Sequence, residues 1–299
     1  MKRNPLLVVI ISAAALGIVF FLILSVASFL SGNRRPSDPL TVVGGGNVAL
    51  VKIEGLLTNS ELVVNEVNNY SEDGSIKAIV LRIDSPGGGV VPSQEIFNAV
   101  RNAKREGKKV VASMGSVAAS GGYYIAAAAD RIVANPGTMT GSIGVKMEFA
   151  NIEKLLEKIG VKGMVVKGGL YKDIGSPFRE MTEGERKLLQ DVIDDVHGQF
   201  IDAVAEGRGL PKAEVAAIAD GRILTGRQAL SLKLVDQLGD LEDSIKLAGE
   251  LAGIRGRPHI VERRKKVPFF DYLKEESASW ISEVLIRGLS GTAVSLQYR

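Results

Sequence analysis

No cysteine occurs among the 299 residues, so disulfides, thiol nucleophiles and cysteine-ligated metals are excluded. The compartment stays open, because a disulfide-free fold suits either side of a membrane. Histidine is almost as scarce. Only His197 and His259 are present, which argues against a histidine-built metal site, and no metal or other cofactor is expected. Aromatic residues make up 5 % of the chain, so the interior should consist mainly of Val, Ile, Leu and Ala. Charge of one sign is also lacking. The 37 basic and 34 acidic residues leave a net +3, which gives no reason to expect a nucleic-acid partner.

The chain has one long apolar run. Lys2 and Arg3 precede residues 6–30, 25 positions without a charge. As a helix at about 1.5 Å per residue they would extend about 37 Å, enough to cross a bilayer and longer than the apolar part of a cleaved signal peptide. Residues 1–30 are therefore expected to be a transmembrane anchor. Flanking charge does not orient it, since Arg34 and Arg35 balance Lys2 and Arg3. Residues 31–47 turn to Gly, Asn, Arg, Pro, Ser and Asp and end in Gly44-Gly45-Gly46, the composition of a linker.

From residue 48 short apolar runs alternate with amphipathic ones. Strands are expected at 48–53, 78–83, 110–113, 131–134, 143–149 and 164–166. Helices are expected at 61–70, 93–106, after Ser120, and at 152–159, 182–206 and 241–252. Apolar strands separated by helices predict an α/β fold with a mainly parallel sheet, whose sites lie at the carboxyl ends of strands. Three glycine-rich segments fall at such ends: 84–89, 115–122 and 137–144.

The middle segment carries Ala119-Ser120-Gly121-Gly122-Tyr123-Tyr124. It sets one hydroxyl among residues with almost no side chain, ahead of a helix whose first amides would face an incoming carbonyl. A glycine turn into a buried helix explains the same residues with less chemistry. Amides from Gly87 to Gly89 could join that of Gly121 as an oxyanion hole, although a strand-to-helix turn also accounts for them. A serine nucleophile needs a base. His197 lies beside the apolar stripe Leu188, Leu189, Val192, Ile193, Val196, Phe200, Val204, and His259 sits among arginines, so neither fits well. A desolvated lysine is the remaining type of base, but local chemistry does not select one.

Four motifs in order, Asp84-Ser85-Pro86-Gly87-Gly88-Gly89, Ala119-Ser120-Gly121-Gly122-Tyr123-Tyr124, Thr140-Gly141-Ser142-Ile143-Gly144-Val145 and Tyr171-Lys172-Asp173-Ile174-Gly175-Ser176-Pro177, resemble the signal peptide peptidase A family in its short, single-repeat form. The likeness covers roughly residues 48–239. It implies a Ser–Lys dyad serine peptidase on a ClpP/crotonase-like repeated βαβ core spanning 48–254. Ser120 would be the nucleophile and Lys172, 52 positions later, the general base. Ser142 would orient the lysine amine, and the amides of Gly87 and Gly121 would form the oxyanion hole. The base must be neutral, so the Asp173 carboxylate next to it is expected to point elsewhere. The resemblance further implies a ring-shaped homo-oligomer, a catalytic domain outside the cytoplasmic membrane, and substrates that are remnant signal peptides or other short apolar peptides.

Residues 255–299 hold a basic run, Arg263-Arg264-Lys265-Lys266, then an apolar stripe at helical spacing, Phe269, Phe270, Leu273, Trp280, Ile281, Val284, Leu285, Leu289. An amphipathic C-terminal helix is expected there. Other classes remain open on sequence alone: a crotonase-type acyl-CoA enzyme, a membrane protease of the stomatin-associated type, and a non-catalytic scaffold.

Overall fold

The computed structural model describes residues 47–263. The expected anchor at 6–30 and the C-terminal amphipathic stripe at 269–289 lie outside the described residues. Among the described residues no helix is long and apolar enough to cross a membrane.

The architecture is an eight-stranded sheet with helices packed on it. Strand β1 (Val48–Glu54) is followed by helix α1 (Glu61–Glu72), β2 (Ala78–Ser85), α2 (Val90–Arg105), β3 (Lys109–Ala119) and α3 (Gly121–Ala126). Then come β4 (Arg131–Ala134), β5 (Met139–Gly141), α4 (Glu153–Lys158), α5 (Glu183–Arg208), α6 (Lys212–Ile218), β6 (Ile223–Thr225), α7 (Gly226–Ser231), β7 (Gln237–Leu238), α8 (Leu241–Leu251) and β8 (Ile260–Glu262). The spine runs β6-β5-β3-β2-β1-β8, with β4 pairing both β3 and β7. Every pairing is parallel except β5 with β6.

The interior has the aliphatic character expected of so few aromatics. Val48, Leu50, Ala78, Val80, Val111 and Val133 line one face of the sheet with Ala248 of α8, and Leu241, Ile245 and Leu251 close over them. Alternation along β2 leaves Ile79, Leu81 and Ile83, all fully buried, for the other face. Three helix starts carry a capping box, at Thr182, Thr225 and Asp240, each satisfying two orphan donors of a first turn.

Two expected strands do not form. Residues 143–149 and 164–166 are apolar enough, but among the described residues neither finds a strand partner, and α4 is the only regular element between β5 and α5. Ile143 is buried, but much of the stretch beyond it stands away from the core. Met147, Phe149, Leu155, Ile159, Val165, Leu170 and Tyr171 are exposed, Met164 at 92 % and Val166 fully so. The exposure continues into the first half of α5, where the predicted apolar stripe leaves Leu188 and Val192 uncovered and only Phe200 and Val204 deeply buried. The sheet also runs past the expected boundary at 254, since β8 pairs β1 in register Val48↔Ile260.

Candidate active site

Strand β3 serves two neighbours in turn. Its first half pairs β4 at Val111–Ser113, and its second half pairs β5, Val117↔Met139 to Ala119↔Gly141. Between them it bulges away from β2: pairing moves from Ile83↔Met114 to Ser85↔Ala118, so β3 spends four positions where β2 spends two. Three side chains hold the bulge. Asp84 Oδ1 accepts the Val117 N–H at 3.0 Å, Thr138 Oγ1 donates to the Gly115 carbonyl at 2.8 Å, and Thr140 Oγ1 donates to the Ala118 carbonyl at 2.7 Å. Both threonines are buried. Gly115 is required here, because a Cβ on it would lie 2.8 Å from Asp84 Cγ.

The redirected strand ends at Ser120, with φ 52° and ψ −120°. A side chain rarely adopts this backbone, which costs on the order of 1–3 kcal/mol. The Ser120 N–H donates to Gly141 O at 2.9 Å and its carbonyl accepts the Tyr124 N–H at 2.8 Å, so both flanks are fixed. Its side chain does not cap the helix it precedes. The hydroxyl is partly exposed at a sharp strand-to-helix turn. Ser142 ends the neighbouring strand in the same way, with φ 50°. Because Ala119 pairs Gly141, the two serines leave adjacent strands at the same level.

The glycine loop after β2 meets this turn. A Cβ on Gly87 would fall 2.6 Å from Gly121 N and 2.8 Å from Ser120 Cβ, and one on Gly122 would fall 2.8 Å from Ser85 O. Bare backbone is therefore a steric requirement at both positions. Gly121 N–H begins α3, where no intrahelical acceptor exists, and it has none among the described residues.

The Gly87 amide, expected as one oxyanion donor, has a hydrogen-bond acceptor of its own. It donates to Ser85 Oγ at 3.1 Å, and that hydroxyl in turn donates to Gly55 O at 2.6 Å. The next amide is differently placed. Leu57 N–H donates to Gly87 O at 2.9 Å and Gly89 N–H to Leu57 O at 2.7 Å, a parallel bridge opposite Gly88. The polar groups of Gly88 then face away from Leu57, on the β3 side, and its N–H has no acceptor among the described residues.

Lys172 is not brought to the serines by hydrogen bonding. It lies exposed on a turn within the protruding stretch, its own N–H donating to Gly169 O at 3.3 Å. Asp173 beside it behaves as expected. Its carboxylate is taken by Arg179, Nε to Oδ2 and Nη2 to Oδ1 both at 2.8 Å, and by Lys167. These donors, Arg179 foremost, hold the Asp173 carboxyl well below the usual carboxylate range. Arg179 also donates to Glu185 Oε2 at 2.8 Å, and Glu185 is held down to about 2 by it and by the Thr182 backbone. Sequence reasoning missed this cluster. Its one legible sign is Thr182-Glu183-Gly184-Glu185, the pattern of a capping box.

His197 is half-buried, and its Nε2 has no hydrogen-bond partner among the described residues. No group of His, Asp and Glu suited to a metal ion occurs among the described residues.

The turn thus offers a partly exposed serine with the Gly121 and Gly88 amides, which have no acceptor among the described residues, close by. Residues 102–255 match the model of peptidase family S49. A Synechocystis sp. protein named as a protease is 47 % identical over 208 residues, covering 69 % of this chain and 75 % of that protein. A Methanocaldococcus jannaschii protein, also named as a protease, is 39 % identical over 67 % of this chain and 63 % of its own length. An Enterococcus faecium protein named as a signal peptide peptidase SppA is 38 % identical over 62 % of this chain and 54 % of its own length. Matched across half its length by the family model, and 47 % identical to a protease-named protein of which it covers 75 %, the chain belongs to peptidase family S49, the signal peptide peptidase A family, and is a serine peptidase.

Proposed function

We propose that the chain is a membrane-anchored Ser–Lys dyad endopeptidase in which Ser120 attacks the peptide carbonyl and Lys172 takes its proton. The acyl-enzyme that forms is then hydrolysed by water activated by the same amine. The observation that carries this reading is the Ser120 backbone, held at φ 52° where β3 gives way to α3, against Gly87 and Gly121. The Gly121 amide is one donor to the developing oxyanion. The Gly88 amide supplies the second better than Gly87, whose hydrogen is already donated. Each such donor contributes on the order of 3 kcal/mol to acyl transfer. Ser142, leaving β5 at the level of Ser120, orients the lysine amine.

Repeated βαβ units with the site at the strand ends support a ClpP/crotonase-like core for residues 48–254. The exposed Lys172 requires a further step. Its stretch carries apolar side chains from Met147 to Phe178 that nothing among the described residues covers, which supports assembly with further copies into a ring where this stretch is packed down. The uncharged run at 6–30 supports a single-pass anchor, with the body on the extracytoplasmic side of the cytoplasmic membrane. Remnant signal peptides and other short apolar peptides are then the substrates.

The test uses the full-length chain in mild detergent with a quenched apolar peptide. Ser120→Ala and Lys172→Ala should each lose activity by several orders of magnitude, and the parent rate should rise with pH through one ionisation. Activity retained in Lys172→Ala would remove the lysine from the mechanism.

A further inference from the structure

Arg179 occupies a place that neither the family match nor the nucleophile explains. Its side chain is 29 % exposed and bridges two carboxylates exposed by only 12 % at Asp173 and 4 % at Glu185. Six polar contacts are involved, one of them from Nη1 to the Glu180 carbonyl at 3.0 Å. Nε and Nη2 grip both oxygens of Asp173, Nη2 also donates to the Asp173 carbonyl at 3.3 Å, and Nη1 and Nη2 grip both oxygens of Glu185. Asp173 belongs to the turn that presents Lys172, and the Asp173 carbonyl also accepts the Ser176 N–H at 3.0 Å. Glu185 belongs to the first turn of α5, where Glu185 Oε2 accepts the Thr182 N–H at 2.9 Å. The far end of α5 is tied to the sheet through Arg208 and Asp236, 2.8 Å apart. A continuous chain of contacts thus runs from the sheet, along a 26-residue helix, through one guanidinium, to the residue beside Lys172.

We propose that Arg179 is a positioning residue for the general base, fixing the Lys172 turn to the N-terminus of α5 and keeping the Asp173 carboxylate off the lysine amine. The proposal rests on Lys172 as the base. Three groups face the guanidinium: Asp173 and Glu185, which it grips, and Lys167, which shares Asp173. Glu180 and Arg186 line the same open cavity, with Phe149 and Gly175 on its wall. Without the guanidinium, two carboxylates would face each other across the joint and the turn would come loose. Asp173 would keep only Lys167 and would be free to pair with its neighbour Lys172, holding the proton that the base must give up. Lysine at 179 would keep the charge and lose the fork, because one ammonium cannot make parallel bonds to two carboxylates.

The experiment compares Arg179→Gln, Arg179→Lys and Arg179→Gln/Asp173→Asn with the parent and Lys172→Ala. All are made in the full-length chain, with kcat, KM, the pH dependence of kcat and the melting temperature measured for each. Misplacing a reacting group by about 1 Å costs on the order of 10²-fold in rate. Arg179→Gln should lose about that factor in kcat with little change in KM, and its rate should begin to rise only at higher pH. Adding Asp173→Asn should return the rise to the parent position. Arg179→Lys should fall between, and it carries the same readouts if the glutamine variant does not fold. An unchanged kcat, or a lower kcat whose rise stays at the parent pH, overturns the proposal, since loss of stability alone would not move the profile. An active Lys172→Ala enzyme overturns the base assignment itself, and an inactive one with an unmoved Arg179→Gln profile overturns the positioning role alone.

Discussion

Ser120 is held in a backbone conformation that only glycine adopts freely, so its position is favourable for chemistry and unfavourable for stability. The two can be separated. Ser120→Ala keeps the strain and removes the oxygen, whereas Ser120→Gly removes both. The glycine variant should unfold later than the alanine variant, by about 1–2 kcal/mol in denaturant titration after the greater backbone entropy of glycine is allowed for. Equal stability would mean that the turn is not strained. Ser142, at φ 50°, should respond in the same direction. Gly122 is the opposite case, because there the obstacle is the Ser85 carbonyl at 2.8 Å and no rotamer can relieve it, while Gly87 combines such an obstacle with a φ of 99°.

At the scale of the element, the bulge in β3 aims the serine, and Asp84 is its most exposed dependency. Asp84→Ala leaves the Val117 N–H without its acceptor at a partly buried position, which should cost about 1–3 kcal/mol and lower kcat more than KM. A variant as stable and active as the parent would show that Thr138 and Thr140 suffice. The Asp84-Ser85-Pro86-Gly87 motif and the serine turn were legible through the order of four motifs, since each alone is equally explained by a glycine turn. The bulge was not. Strand β3 runs to Ala119, six residues beyond its expected end at 113, because the extra length is stabilised by Thr138 and Thr140 from a distant segment. Residues 143–149 failed in the other direction. Their apolar pattern is that of a strand, but a strand requires a partner, and pattern alone cannot supply one. Lys172 was selected by resemblance alone, and its exposure follows from a segment that few of the described residues cover.

Two consequences belong to the whole molecule. The first concerns the uncovered stretch from Met147 to Phe178: replacing Met164, 92 % exposed, by Asp should leave the melting of the sheet unchanged while reducing the assembled size and the activity together. Size-exclusion chromatography with light scattering reads the first, peptide hydrolysis the second. Unaltered size would exclude this stretch from assembly. The second concerns Glu66 on α1. Burial, opposed by Arg263, pushes its carboxyl up from 4.5 to about 7. The folded chain therefore holds this proton more tightly than the unfolded chain, and the stability it confers is complete below about pH 4.5 and lost as pH rises through 7. Glu66→Gln should flatten that slope and should be more stable than the parent at pH 8, as measured by thermal unfolding across pH.

The pairing of the first strand with the last sets the order of events during synthesis. Asn47 and His259, 212 positions apart, share hydrogen bonds, and β1 has an open edge until β8 arrives. Contacts of such separation form slowly. The serine turn itself depends on β5, which is completed only by β6. A nascent or truncated chain that lacks these strands would therefore carry Ser120 in its sequence without the strand pairings that hold its turn.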